Sequence, residues 1–94
     1  MAVKLDRQQV AGQLQKLPHW TLLGDQIERL LSFENFADAM IFVNKVAEIA
    51  EEQGHHPDIR ILYNRVTLAL TTHDAGGLTQ KDFQMAHRID SLAE

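Results

Sequence analysis

Cysteine is absent from this 94-residue sequence. That excludes disulfides, thiolate metal sites and cysteine nucleophiles. Proline occurs twice and glycine five times, and no low-complexity tract or internal repeat breaks the chain. The expectation is therefore one domain over residues 1–94. No apolar run approaches the roughly 20 residues that a membrane span needs. The opening Met1-Ala2-Val3-Lys4-Leu5-Asp6 lacks the apolar core of a signal peptide. A cytoplasmic protein with no membrane contact is the expectation. Basic residues are the minority, nine Lys plus Arg against thirteen Asp plus Glu, for a net charge of −4. Direct nucleic-acid binding, which needs a clustered basic face, is not expected.

What is present is an ordinary globular balance, 45% hydrophobic and 23% charged. A domain this small buries only about 60–65% of the surface of its unfolded chain, so self-association would stabilise it. Asp6 with Gln9 forms a capping-box pattern, flanked by Leu5 and Val10 at staple spacing, and opens a first helix that Pro18 discourages from continuing. Extended segments follow at 20–23 and 26–33, joined at Gly24-Asp25. Residues 35–53 form the longest helix, with Asn35 as cap, Asp38 in the first turn and Gly54 beyond the end.

Strands at 59–63 and 66–73 flank a predicted hairpin turn at Asn64-Arg65, with Asn64 suited to a left-handed conformation. Along the second, Val66, Leu68 and Leu70 share one face. Thr79 opens a last helix, with Asp82 at the capping-box position and Leu78 and Phe83 as the staple. The fold class is α+β: a four-stranded antiparallel sheet with three helices on one face, ordered α-β-β-α-β-β-α. The long helix is apolar on more than one stripe. Once one face is packed on the sheet, Ile41, Phe42 and Ile49 are expected to need another partner, as at a subunit interface, the alternative being a helix buried at the centre of the domain.

The chemistry gathers on histidines. His55-His56-Pro57 follows the long helix, and the residue before a proline is pushed toward extended geometry. Adjacent side chains there point in different directions, which suits flanking a bound ring better than sharing a metal. His73 lies where a strand meets a loop. Imidazole titrates nearest neutrality, and such groups can exchange protons with a substrate without a metal or cofactor. His19, in a turn, and His87, within the last helix, carry no such signal. Glu51 in the last turn of its helix opposes the dipole, which marks it for attention.

The order Glu51, His55-His56-Pro57, Tyr63, His73, Asp82 resembles the signature of the pterin-4a-carbinolamine dehydratases. So do Trp20, the Phe33–Phe36 stretch, Tyr63-Asn64-Arg65-Val66, Thr71-Thr72-His73-Asp74 and Gly77-Leu78. The likeness runs from about Trp20 to the C-terminus. It implies a hydro-lyase acting on 4a-hydroxytetrahydrobiopterin, with His55, His56 and His73 catalytic. Glu51, Pro57, Thr71, Thr72, Asp74 and Asp82 would surround the pterin, with Asp82 orienting or polarising the site. It further implies no cofactor, no metal, and a homo-oligomer formed through sheet edges and the long helix. Two positions depart from the pattern: Gly54 stands where some members carry an acid, and Ile59 where some carry tryptophan. A second reading is a protein-binding module, since animal members also serve a transcription factor as dimerisation cofactor. A third, a three-histidine metal hydrolase, lacks the helical His pair of a typical zinc motif.

Overall fold

Asp6 holds an extended backbone (φ −81°, ψ 174°) and caps α1 (Arg7–Leu14) through a complete capping box with Gln9. The structure is a computed structural model and describes residues 2–93. A turn brings Leu17 and Trp20 into the core before β1 (Thr21–Leu23) and β2 (Gln26–Ser32). Asn35 then accepts the Asp38 N–H (2.8 Å) and starts α2 (Phe36–Gln53). Next come β3 (Asp58–Leu62), β4 (Arg65–Leu70), a 3-10 turn at His73–Ala75, and α3 (Gln80–Ala93).

The sheet order is β1-β2-β4-β3, antiparallel throughout. Ile27 pairs with Leu70, Leu31 with Val66 and Ile59 with Leu68, so one face of the sheet is apolar. Val66, Leu68 and Leu70 are fully buried there, in one cluster with Val10 of α1, Val46 of α2 and Phe83 of α3. The opposite face leaves Leu30 and Leu62 exposed. All three helices therefore lie on one side, as the α+β reading expects. Among the described residues no helix is long and apolar enough to cross a membrane.

Three local expectations need correction. Phe42 and Ile49 need no outside partner, being 5% and 6% exposed; the Phe42 ring packs on Phe33 with centroids 5.1 Å apart. Ile41 alone of the three stays exposed, at 55%.

The second hairpin turns at Tyr63-Asn64, one residue earlier than expected, and the positive φ (53°) falls on Tyr63. Asn64 is held elsewhere: its carbonyl accepts the Phe33 N–H and its amide donates to the Phe33 carbonyl, both at 2.8 Å. A positive φ at the first loop position matches the twist of a two-residue hairpin.

His73 is not a strand residue. β4 stops at Leu70, Thr72 pairs with Gly77 in an isolated bridge, and the chain coils into the 3-10 turn that Gly76 closes at φ 78°. Strand geometry cannot survive a turn that brings Thr72 back onto Gly77.

Replacing Phe42 by Ala removes a buried ring and its aromatic neighbour. It is expected to lower unfolding free energy by about 3–5 kcal/mol, read as a lower urea midpoint.

Candidate active site

The termini of four elements meet at one end of the sheet: the end of α2, the start of β3, the exit of β4 and the start of α3. Gly54 terminates α2 in the left-handed region (φ 64°), and the His55 N–H returns to the Ala50 carbonyl at 3.2 Å. This six-to-one bond belongs to a Schellman-type end, and it fixes where His55 leaves the helix. Residue 54 must reach a conformation that a Cβ disfavours, which accounts for glycine there.

At the start of α3, the Asp82 carboxylate accepts the Thr79 N–H at 2.9 Å, one half of the expected capping box. Thr79 Oγ1 accepts the Lys81 N–H at 3.2 Å. Leu78 and Phe83 are buried on either side, 4% and 1% exposed, as a staple requires.

Asp82 does more than cap. Its side chain is wholly buried, and Oδ1 accepts from His55 Nε2 at 2.5 Å. Oδ2 accepts from Thr72 Oγ1 at 2.8 Å as well as from Thr79. A buried carboxylate is tolerable only with its lone pairs answered by donors. Here three donors answer it, from three different segments. An ionised carboxylate cannot donate, so neutral His55 must carry its proton on Nε2 and keep its lone pair on Nδ1.

His56 forms the second carboxylate pair, Nε2 to Glu51 Oε2 at 2.5 Å, but in the open: the side chains are 61% and 78% exposed. That contact gives Glu51 a partner in the last turn of α2, where an acid opposes the helix dipole. Pro57 is half-buried between His56 and the start of β3.

His73 and Asp74 are exposed on the 3-10 turn. The Thr71 hydroxyl donates to the Asp25 carbonyl at 2.7 Å, tying the β4 exit to the β1–β2 turn. His73 lines a shallow recess of about 360 Å³ with Leu23, Asp25, Gln26, Thr71 and Gly77. A larger cavity, about 850 Å³, lies between α1 and the β1–β2 turn, lined by Leu5, Val10, Leu14 and Leu22 among others. It holds none of the expected site residues, so volume alone does not mark the chemistry here.

Of the expected residues, then, His55, Asp82 and Thr72 are joined by hydrogen bonds, Glu51 with His56 forms a neighbouring pair, and Thr71 with His73 borders the recess. Asp74 stands apart in solvent. Thr79 was legible only as a helix start; its hydroxyl lies 2.7 Å from that of Thr72 and makes it part of the same network. Nothing local in the sequence signals that contact. Among the described residues no three His, Asp or Glu side chains are grouped so as to hold a metal ion.

Comparison with known proteins identifies the family. The family model described as pterin 4 alpha carbinolamine dehydratase matches residues 3–92. A relative from Picosynechococcus, provisionally named a pterin-4-alpha-carbinolamine dehydratase, is 51% identical over 98% of this chain and 100% of its own. One from Acidobacterium capsulatum with the same provisional name is 58% identical, covering 88% of this chain and 90% of the relative. A crystal structure from Brucella melitensis, described as a transcriptional coactivator/pterin dehydratase, superimposes with TM-score 0.93 at 31% identity, over 97% of this chain and 99% of that one. A pterin dehydratase-like protein identified as a RuBisCO assembly factor in the alpha-carboxysome shares the fold at TM-score 0.64 and 24% identity, over 79% and 86% of the two chains. With a family match along nearly its whole length and relatives at half identity end to end, the chain belongs to the pterin 4 alpha carbinolamine dehydratase family.

Proposed function

We propose that this protein is a hydro-lyase that dehydrates 4a-hydroxytetrahydrobiopterin to quinonoid dihydrobiopterin, in the recycling of tetrahydrobiopterin. The observation that carries the reading is the buried Asp82 with His55 bound to it at 2.5 Å. In the reaction the 4a-hydroxyl takes a proton and leaves as water. The adjacent ring nitrogen gives up its proton, and its electron pair closes the C=N bond. One proton is delivered and one removed, so acid–base groups suffice. A carboxylate behind an imidazole holds its tautomer and stabilises the imidazolium that forms in transit. In this reading His55, His56 and His73 supply the acid and the base, and His73 borders a recess within the size range of small-molecule sites. Pro57, Thr71 and Asp74 complete the proposed surroundings of the pterin, and no metal or cofactor enters the scheme.

A second reading, a protein-binding role, is favoured by one observation: Phe36 and Ile41 remain 49% and 55% exposed on α2. The same surface suits self-association, and β1 and β3 offer unpaired sheet edges. We take the occupant to be further copies of this chain, in a symmetric dimer or a tetramer built from dimers.

Alanine at His55, His56 or His73 is expected to slow dehydration of enzymatically generated 4a-hydroxytetrahydropterin by about 10²–10⁴-fold. His19→Ala and His87→Ala, at exposed positions, should match the wild type; equal losses there would remove the assignment. Activity is expected to survive chelation, and restoration of a chelated sample by zinc would favour a metal mechanism instead. Light scattering should give a wild-type mass of at least a dimer. Ile41→Glu should lower the mass of an assembly built through α2 while leaving dehydration intact. A wild-type monomer at micromolar concentration would count against self-association.

A further inference from the structure

Thr72 and Thr79 are both buried, 7% and 0% exposed, with their hydroxyl oxygens 2.7 Å apart. Thr72 Oγ1 also lies 2.8 Å from Asp82 Oδ2. Each hydroxyl has one proton to give. The Asp82 carboxylate has none, so the proton between Thr72 and Asp82 belongs to Thr72. The Thr72 oxygen is then the acceptor in its contact with Thr79, and that second proton belongs to Thr79. The Lys81 N–H, 3.2 Å from Thr79 Oγ1, agrees with this order: it occupies a lone pair of Thr79 and leaves the hydroxyl proton free to point at Thr72. Donation therefore runs from Thr79 to Thr72 to Asp82, and from His55 to the other oxygen of the same carboxylate.

We propose that Thr72 and Thr79 are positioning residues for His55. Their directed pair of hydroxyls holds the Asp82 carboxylate in orientation, which holds His55 as the Nε2–H tautomer and leaves Nδ1 as the nitrogen available for proton transfer. Only the use made of Nδ1 rests on the dehydratase reading; the tautomer follows from the contact of Nε2 with an ionised Asp82 carboxylate. Thr72 thereby acts from behind His55 rather than on the pterin. A merely structural role for the two threonines, as cap and buried filler, predicts a change in stability with no change at the His55 ring.

The experiment is long-range ¹H–¹⁵N correlation NMR of the histidine side chains, with kcat and KM measured on the same samples. Wild-type His55 is expected as a single Nε2–H tautomer. Thr72→Val removes the donor that pins Asp82. It should shift the His55 nitrogens toward a tautomer average and reduce kcat roughly ten- to a hundredfold, as misplacement of a reacting group does, with KM within about twofold. Thr79→Val keeps near-native volume and the Thr79 N–H but frees Thr72 to rotate, so the same changes should appear in smaller size. Thr72→Ser and Thr79→Ser restore the hydroxyls and should restore both signals, which separates positioning from loss of fold. An Nδ1–H tautomer in the wild type would overturn the proposal. So would valine variants with the wild-type His55 spectrum and kcat. If the wild type shows the expected tautomer and the valine variants shift it, yet no sample dehydrates the pterin, the positioning stands and the dehydratase reading falls.

Discussion

A carboxylate with no solvent exposure, Asp82, has to be answered by protein donors, and the local architecture follows from answering it. Left unpaired, such a charge would cost several kcal/mol or more. Its donors are the backbone N–H of Thr79 just before α3, the Thr72 hydroxyl at the exit of β4, and the His55 ring at the end of α2. The N-terminus of α3 adds its partial positive charge. Helix cap and candidate active site are therefore one object. A change that loosens the cap also loosens His55, and stability and site geometry cannot be tuned separately at this point.

For that object to be fixed, α3 has to be fixed, and it is tied near both ends by a carboxylate. Near its C-terminus Asp90 accepts the Trp20 indole N–H at 2.8 Å and pairs with Arg29. Arg29 stands on the core face of β2 between Ile27 and Leu31, where an unpaired guanidinium would be costly. Among the described residues its Nε is buried without a partner, so the Asp90 contact carries its compensation. With Phe83, Met85, Ala86 and Ile89 buried between the two ties, α3 is seated along its length. Asp82 is presented at a set height above the end of the sheet.

Much of this was legible from local signals, because those signals have local causes. The capping pairs Asp6 with Gln9 and Thr79 with Asp82, the stop at Gly54, and the alternation along Val66, Leu68 and Leu70 each depend on neighbours a few positions away. The failures are long-range. Asn64 was displaced from its expected turn geometry by Phe33, 31 positions earlier. A helix apolar on several stripes does not say which of them the sheet will cover, so the pattern leaves Phe42 on an outer face; contact with Phe33 decides it. Asp82 read locally as a cap, and its bond to His55, 27 positions away, had no local trace. Only the spaced pattern from Glu51 to Asp82 tied the two together, and that came from resemblance rather than from periodicity.

The two histidine–carboxylate pairs show why burial, and not contact distance, separates their consequences. His55–Asp82 and His56–Glu51 have the same 2.5 Å separation. In the exposed pair water and salt screen the charges, the side chains give up entropy to meet, and the contact contributes little to stability. In the buried pair the surrounding medium cannot substitute for a lost partner, so geometry is enforced by the cost of every alternative. Element termini are where such enforcement is available. The start of a helix has free N–H groups, the end of another turns sharply on glycine, and a strand leaving the sheet still carries its hydroxyls inward. Bringing those ends together supplies a buried acid with donors and leaves one imidazole held from behind, at the edge of solvent.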